Sequence, residues 1–265
     1  MYRVGWFSTA NGKTSQLLLS SVVDAISEGS LDMEMAFVFV SREMGESDQT
    51  DTFINMVKGY DLPLITLSFD VFRKQYASLK RSEVRELYDQ EVIKRLKDFD
   101  CDLVVLAGYM LIVSEEMCST YPMINLHPSL PNGPKGTWRE VIWQLIEEKA
   151  VLNGCMMHLV TPELDRGPVM TYCQYPIRGR NFDDLWKQRE NQSKDPEKNE
   201  QKESDPLFQK IRAEGVKREI PLILHTLQAL AQGEIQIQKH RLLNRDGYPI
   251  NGLDITTTVE KSLMR

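Results

Sequence analysis

Short segments that are apolar nearly throughout, separated by segments of helical periodicity, constrain this fold more than any other feature of the chain. Residues 3–8, 35–40, 63–67, 103–107 and 123–127 carry few polar side chains. A strand apolar on both faces must be covered on both faces, which is the condition of a parallel sheet sandwiched by helices. Residues 13–27, 50–59, 82–99 and about 137–149 supply helical patterns between and after such strands. The expected class is therefore α/β, an open, mostly parallel, doubly wound sheet. Two further strand-like runs, 152–160 and 169–177, are joined by a connection too short for a crossover helix, so they are expected to pair antiparallel. Residues 208–232 return to a helical pattern. The tail from His240, with Asp246-Gly247 as a turn, is expected to form a hairpin or surface arm.

Composition bounds function less tightly. The formal net charge of -6 gives no global field for nucleic acid, so an anionic ligand would need a local site. The cysteines, Cys101, Cys118, Cys155 and Cys173, form no CxxC pair and read as reduced thiols with no metal site. The N-terminus runs straight into a strand-like segment with no leader pattern, and the apolar stretch 103–113 is too short to span a bilayer. A cytoplasmic protein with neither nucleic-acid nor membrane partners is expected. Residues 187–206 are almost purely polar and read as a mobile insertion. The chain is thus divided into a main domain, 1–235, and a C-terminal arm, 236–265.

Chemistry concentrates at three positions. Strand alternation puts Asn125 and His127 on one face at the carboxyl end of a strand, where open α/β sheets place ligands. Asp165 lies in the turn between the two later strands. An amide, an imidazole and a carboxylate suit acyl transfer to an amine. Asn125 could donate to an oxyanion, His127 could act as acid or base, and Asp165 could orient the imidazole or a proton-relaying water. Each also has a structural reading: a satisfied polar pair near a turn, and an aspartate stabilising its own turn.

The segments Asn125-Leu126-His127-Pro128-Ser129-Leu130, His158 through Pro168 (HLVTPELDRGP) and Leu103 through Met110 (LVVLAGYM) together resemble the formyltransferase family. That resemblance reaches from the N-terminus to about residue 180 and resumes near Glu219. It implies a small-molecule amine acceptor, with glycinamide ribonucleotide first, and 10-formyltetrahydrofolate as co-substrate. It implies direct attack of the amine on the formyl carbon. Catalytic roles would fall on Asn125, His127 and Asp165. Pterin contacts would fall on Met110, Leu111, Ile112 and Val113, and on Val160, Thr161, Glu163 and Leu164. A homodimer is left open.

The turn Asn11-Gly12-Lys13-Thr14 opens a helix, where free N–H groups favour phosphate. Relatives of the purine pathway hold the acceptor phosphate there on a glycine-rich loop, whereas this chain has Ala10 in place of a glycine and Lys13-Thr14 in place of Ser-Asn. Glu219 falls where the resemblance places a ribose-holding glutamate. Acceptor contacts are accordingly expected at Asn11, Gly12, Lys13, Thr14 and Glu219. Competing readings are a formyltetrahydrofolate deformylase, a sugar-nucleotide amine formyltransferase and, from another class, a phosphate-binding or kinase-like module using Gly12-Lys13-Thr14. A true P-loop lacks support, because Phe7 stands where its first glycine is required.

Overall fold

The computed structural model describes residues 1–179, 181–192, 202–238 and 241–264. Strand β1 (Tyr2–Ser8) leads through a four-residue turn into helix α1 (Lys13–Ser27). Then follow β2 (Met33–Val40), α2 (Asp48–Gly59), β3 (Leu64–Thr66), α3 (Phe69–Gln75), α4 (Arg81–Leu96), β4 (Leu103–Leu106), α5 (Glu115–Thr120) and β5 (Met123–His127). The second half holds α6 (Trp138–Glu147), β6 (Leu152–Leu159), β7 (Val169–Pro176), α7 (Asp183–Gln192), α8 (Pro206–Ala231), β8 (Ile235–Gln238), β9 (Arg241–Asn244), β10 (Leu253–Asp254) and α9 (Thr256–Ser262).

Eight strands form one sheet in the order β10-β7-β6-β5-β4-β1-β2-β3. All pairings are parallel except β5–β6 and β6–β7, so β6 alone runs against its neighbours. The expected antiparallel pair of β6 and β7 is present, and β8–β9 forms a second, separate hairpin.

The apolar strands do cover both faces. Val4 and Trp6 of β1, Val38 and Val40 of β2, and Leu103 and Val105 of β4 join one core with α1 and α8. Their sequence neighbours Phe7, Phe37, Phe39, Val104 and Leu106 join a second core with α4 and α5 on the opposite face. Period-two alternation therefore splits each strand between two hydrophobic layers. Helix starts follow local chemistry: Ser47, Ser68, Ser114 and Thr137 accept hydrogen bonds from first-turn amides, and Asp205 caps α8 through Leu207 and Phe208.

The polar run 187–206 begins inside α7 and ends at the first residue of α8, while residues 193–201 of that expected insertion lie outside the described residues. The expected turn at Asp246-Gly247 is present, with Leu243 and Pro249 in an antiparallel bridge across it, whereas the β8–β9 hairpin pairs residues 235–238 with 241–244 ahead of that turn; β10 then adds in parallel to β7 at the sheet edge. Among the described residues no helix is long and apolar enough to cross a membrane.

Candidate active site

The carboxyl ends of β1, β4 and β5 open onto one cleft of about 530 Å³. Three turns shape its walls. After β4, Gly108 takes φ +67°, a left-handed conformation that favours glycine, and an added Cβ would stand 2.7 Å from the Ser15 hydroxyl. The Gly108 carbonyl accepts from Thr9 N, and Met110 N donates to Thr9 Oγ1 at 2.8 Å. These bonds lock the loop 108–113 to the β1–α1 turn. At its far end Ser114 N donates to Asp89 Oδ2 at 2.5 Å. Burial pushes the Asp89 carboxyl up to about 6, outweighing the hydrogen bonds from Ser114.

At the β1–α1 turn, Ala10 is fully buried with φ 54°, in the region that favours glycine. Its carbonyl accepts from Thr50 Oγ1, which helps hold this conformation. Gly12 has extended backbone, and no side chain caps the first turn of α1. Uncapped amides at this helix start, with Gly12, Thr14 and Ser15 lining the cleft, form a concavity suited to an anion. Asn11 also lines it, its Oδ1 accepting from Arg42 Nη1 at 3.1 Å. Lys13 is exposed and does not line the cleft.

The polar centre stands at the seam where strand direction reverses. Asn125 of β5 and His158 of β6 are register partners, with Asn125 Nδ2 3.2 Å from His158 Nε2. His158 Nδ1 lies 2.8 Å from the Leu159 carbonyl. Donation there leaves Nε2 to accept from Asn125. Two residues along β5, His127 is 2% exposed and its Nε2 donates to the Pro134 carbonyl at 3.0 Å. Asp165 sits in the β6–β7 turn with φ 51°. Its Oδ2 lies 3.8 Å from His127 Nδ1 and accepts from Gly136 N at 3.2 Å, while Oδ1 lies 3.6 Å from His158 Nε2. One carboxylate thus lies within 4 Å of both imidazoles.

Burial lowers the His127 imidazole below the usual histidine range, against the opposing pull of Asp165 and the Pro134 carbonyl. For Asp165 burial acts upward, yet His158, His127 and the Gly136 amide together hold the carboxyl below its usual value. The ground state is a neutral His127 beside an ionised Asp165. Protonating Nδ1 would replace a lone pair facing a carboxylate by an attractive contact, so His127 is poised to become charged when negative charge develops beside it.

Helix α8 contributes Arg212 and Glu219 to the lining of the cleft. Arg212 Nη1 and Glu219 Oε1 form an ion pair at 2.5 Å, both side chains largely buried, and the guanidinium lies 4.8 Å from the Trp138 ring centroid. The fold therefore brings Asn125, His127 and Asp165 together with Met110, Leu111, Ile112, Val113, Val160, Thr161, Leu164, Asn11, Gly12, Thr14 and Glu219 around one cleft. Lys13 and Glu163 point elsewhere; Glu163 is exposed and 3.9 Å from Arg166. His158, Arg212 and Arg42 are additional groups that composition and local spacing did not single out. Only strand register discloses His158, and only the packing of α8 discloses Arg212.

A family model described as Formyl transferase matches residues 66–200. Phosphoribosylglycinamide formyltransferase of Escherichia coli (strain K12) is 38% identical over 104 residues, 38% of this chain and 48% of that protein. Its namesake in Saccharomyces cerevisiae is 26% identical over 159 residues, 56% of this chain and 72% of that protein. The matched region thus spans about half the length of the first relative. Among solved structures, phosphoribosylglycinamide formyltransferase from Coxiella burnetii superposes with a TM-score of 0.68 at 20% identity, covering 96% of this chain and 98% of that one. A formyltetrahydrofolate deformylase from Pseudomonas syringae pv. tomato superposes at 0.63 with 19% identity, covering 92% and 65%. At such identities the structures speak for the fold.

Proposed function

Because the chain belongs to the formyl transferase family, we propose that it transfers a formyl group from 10-formyltetrahydrofolate to the amine of a small phosphorylated acceptor, with glycinamide ribonucleotide as the first acceptor to test. The observation that carries this reading is the convergence of Asn125, His127 and Asp165 on a cleft lined by both the apolar loop 110–113 and the uncapped start of α1. An apolar wall suits a pterin ring, and free helix amides suit a phosphate.

The proposed chemistry follows from the protonation states. The acceptor amine attacks the formyl carbon, and negative charge develops on the formyl oxygen. Asn125 has one amide N–H engaged by His158 and a second available to that oxygen. His127 gains a proton as the oxyanion forms, because the developing charge and Asp165 then outweigh the cost of burial. That proton comes from the attacking amine, relayed through water beside Asp165, which stays ionised throughout, and His127 then returns it to the departing folate nitrogen. No covalent enzyme intermediate is required.

The relatives named for phosphoribosylglycinamide formyl transfer support the acceptor. The four-residue β1–α1 turn, held by Thr9 and Thr50 and unlike a phosphate-wrapping P-loop, supports a transferase over a kinase-like module. The test is turnover of 10-formyltetrahydrofolate against a panel of amines, including glycinamide ribonucleotide and a sugar-nucleotide amine, with water alone as control. Acceptor-dependent formyl transfer is expected. Hydrolysis at the same rate with and without every amine would make the protein a deformylase, and folate-independent binding of Mg-ATP would remove the transferase reading.

A further inference from the structure

Folding sorts the four free cysteines into two kinds. Cys101 and Cys118 stand alone, each pushed up to about 11 by burial. Cys155 of β6 and Cys173 of β7 are instead register partners across the antiparallel pair, both fully buried on the face that α8 covers. Directly opposed residues of antiparallel strands have Cα atoms about 4.5 to 5.5 Å apart and side chains on the same face. That separation lies inside the range a disulfide bridges.

The two thiols also interact directly. The Cys173 thiol beside it, then burial, holds Cys155 well above the usual thiol value; the neighbouring Cys155 holds Cys173 below it, against burial. The Cys155 Sγ–H donates to the Gly215 carbonyl of α8 at 3.6 Å. Between the pair in sequence lie the register shift at Met157/His158 and the turn carrying Asp165.

We propose that Cys155 and Cys173 form a site of reversible oxidation, at which a small peroxide converts the thiol pair into an intrachain disulfide that staples the base of the catalytic hairpin. The Cys173 thiolate attacks one peroxide oxygen: an S–O bond forms, the O–O bond breaks, and the released hydroxide takes up the thiol proton as water. The Cys155 sulfur then attacks the resulting sulfenic acid at Cys173. An S–S bond forms, the S–O bond breaks, and hydroxide leaves with the Cys155 proton as a second water. Two thiols and one hydrogen peroxide give one disulfide and two waters. Cys173 is the attacking sulfur because its thiol is held below the usual value while that of Cys155 is held above it, and thiolate character favours this attack. Cys101 and Cys118 lack a thiol partner across a strand pair and stay reduced.

The experiment exposes the native full chain to hydrogen peroxide, unfolds it in alkylating reagent and maps the cysteine peptides. One linked pair holding Cys155 and Cys173 is expected, lighter by two hydrogens and separated by thiol reductant, with Cys101 and Cys118 alkylated. In Cys155→Ala, Cys173 is expected to accumulate as a sulfenic acid trapped by dimedone. Complete alkylation of Cys155 and Cys173 in peroxide-treated wild-type protein, or a link to Cys101 or Cys118 instead, overturns the proposal; this readout does not depend on how the variant folds.

Discussion

Asn125 and His158 face each other across the β5–β6 seam, one of the two antiparallel pairings of the sheet, joined at 3.2 Å between Nδ2 and Nε2. Since His158 spends its Nδ1–H on the Leu159 carbonyl, its other nitrogen fixes which way the Asn125 amide points. An oxyanion donor aimed in advance costs no reorganisation during reaction. In the proposed mechanism His158 is therefore a positioning residue. His158→Ala is expected to lower kcat about 10-fold or more while leaving folate affinity unchanged. Equal losses in kcat and folate binding would reduce His158 to a structural role.

Asn125→Ala removes the donor itself. A loss of about 100- to 1000-fold in kcat is expected, the usual cost of one oxyanion-hole donor. Circular dichroism and melting should stay close to wild type, because Asn125 is only half-buried. Turnover within a few fold of wild type would remove Asn125 from the mechanism.

His127 and Asp165 make a paired prediction in pH. The His127 imidazole titrates below its ordinary value of 6.5, and Asp165 opposes that lowering. Asp165→Asn should therefore move the His127 titration lower still, as read by NMR of the ring protons. The unfolded chain takes up a proton near 6.5 that the native imidazole refuses, so this group contributes stability at neutral pH that is lost as pH falls below 6.5. A rise in the His127 pKa on Asp165→Asn would contradict the contact between them.

Asp89 acts with the opposite sign. Its folded pKa is raised from 3.8 to about 6, so its contribution is most favourable at low pH and is lost as pH rises through 6. Asp89→Asn keeps an acceptor for Ser114 N while deleting the buried charge. The variant should match or exceed wild-type melting temperature at pH 8, and its stability should change less between pH 4 and 6. Marked destabilisation at pH 8 would show that the charge itself is needed to hold the loop 110–113.

Gly167 follows Asp165 by two residues, and a Cβ there would stand 1.7 Å from the Leu159 carbonyl oxygen. Backbone cannot yield as a side-chain tip can. Gly167→Ala is expected to cost about 3 kcal/mol or more in denaturant unfolding, the scale of severe single substitutions. A cost below about 1 kcal/mol would mean that the hairpin relaxes freely.

The sheet was legible because each buried strand is apolar on both faces, and the sharp turn between β6 and β7 announced their antiparallel pairing. Helices α3 and α5, with 7 and 6 residues, were not read, since two turns or fewer give periodicity little room. Strand β10 is two residues long and owes its place to pairing with β7. Asn125, His127 and Asp165 were readable as chemical types in motifs. His158 needed the register of β5 on β6, and the Cys155–Cys173 pair needed that of β6 on β7. Lys13 looked like an anion ligand by position in a motif, yet the helix turns it to solvent. Local pattern reports an element's own faces; it does not report what another element lays across them.

The reversed strand has a consequence for how such a protein can diverge. Asn125, His127, His158 and Asp165 all come from one nearly continuous stretch that folds back on itself through β5, β6 and the turn after it. The lining of the cleft also draws on α1 and α8, distant in the chain and outside that stretch. Reactive groups and acceptor contacts are thus separately mutable. Under the proposed function, changes at Asn11, Thr14, Arg212 or Glu219 would retune which amine is admitted while the groups proposed to act on the formyl carbon are inherited intact.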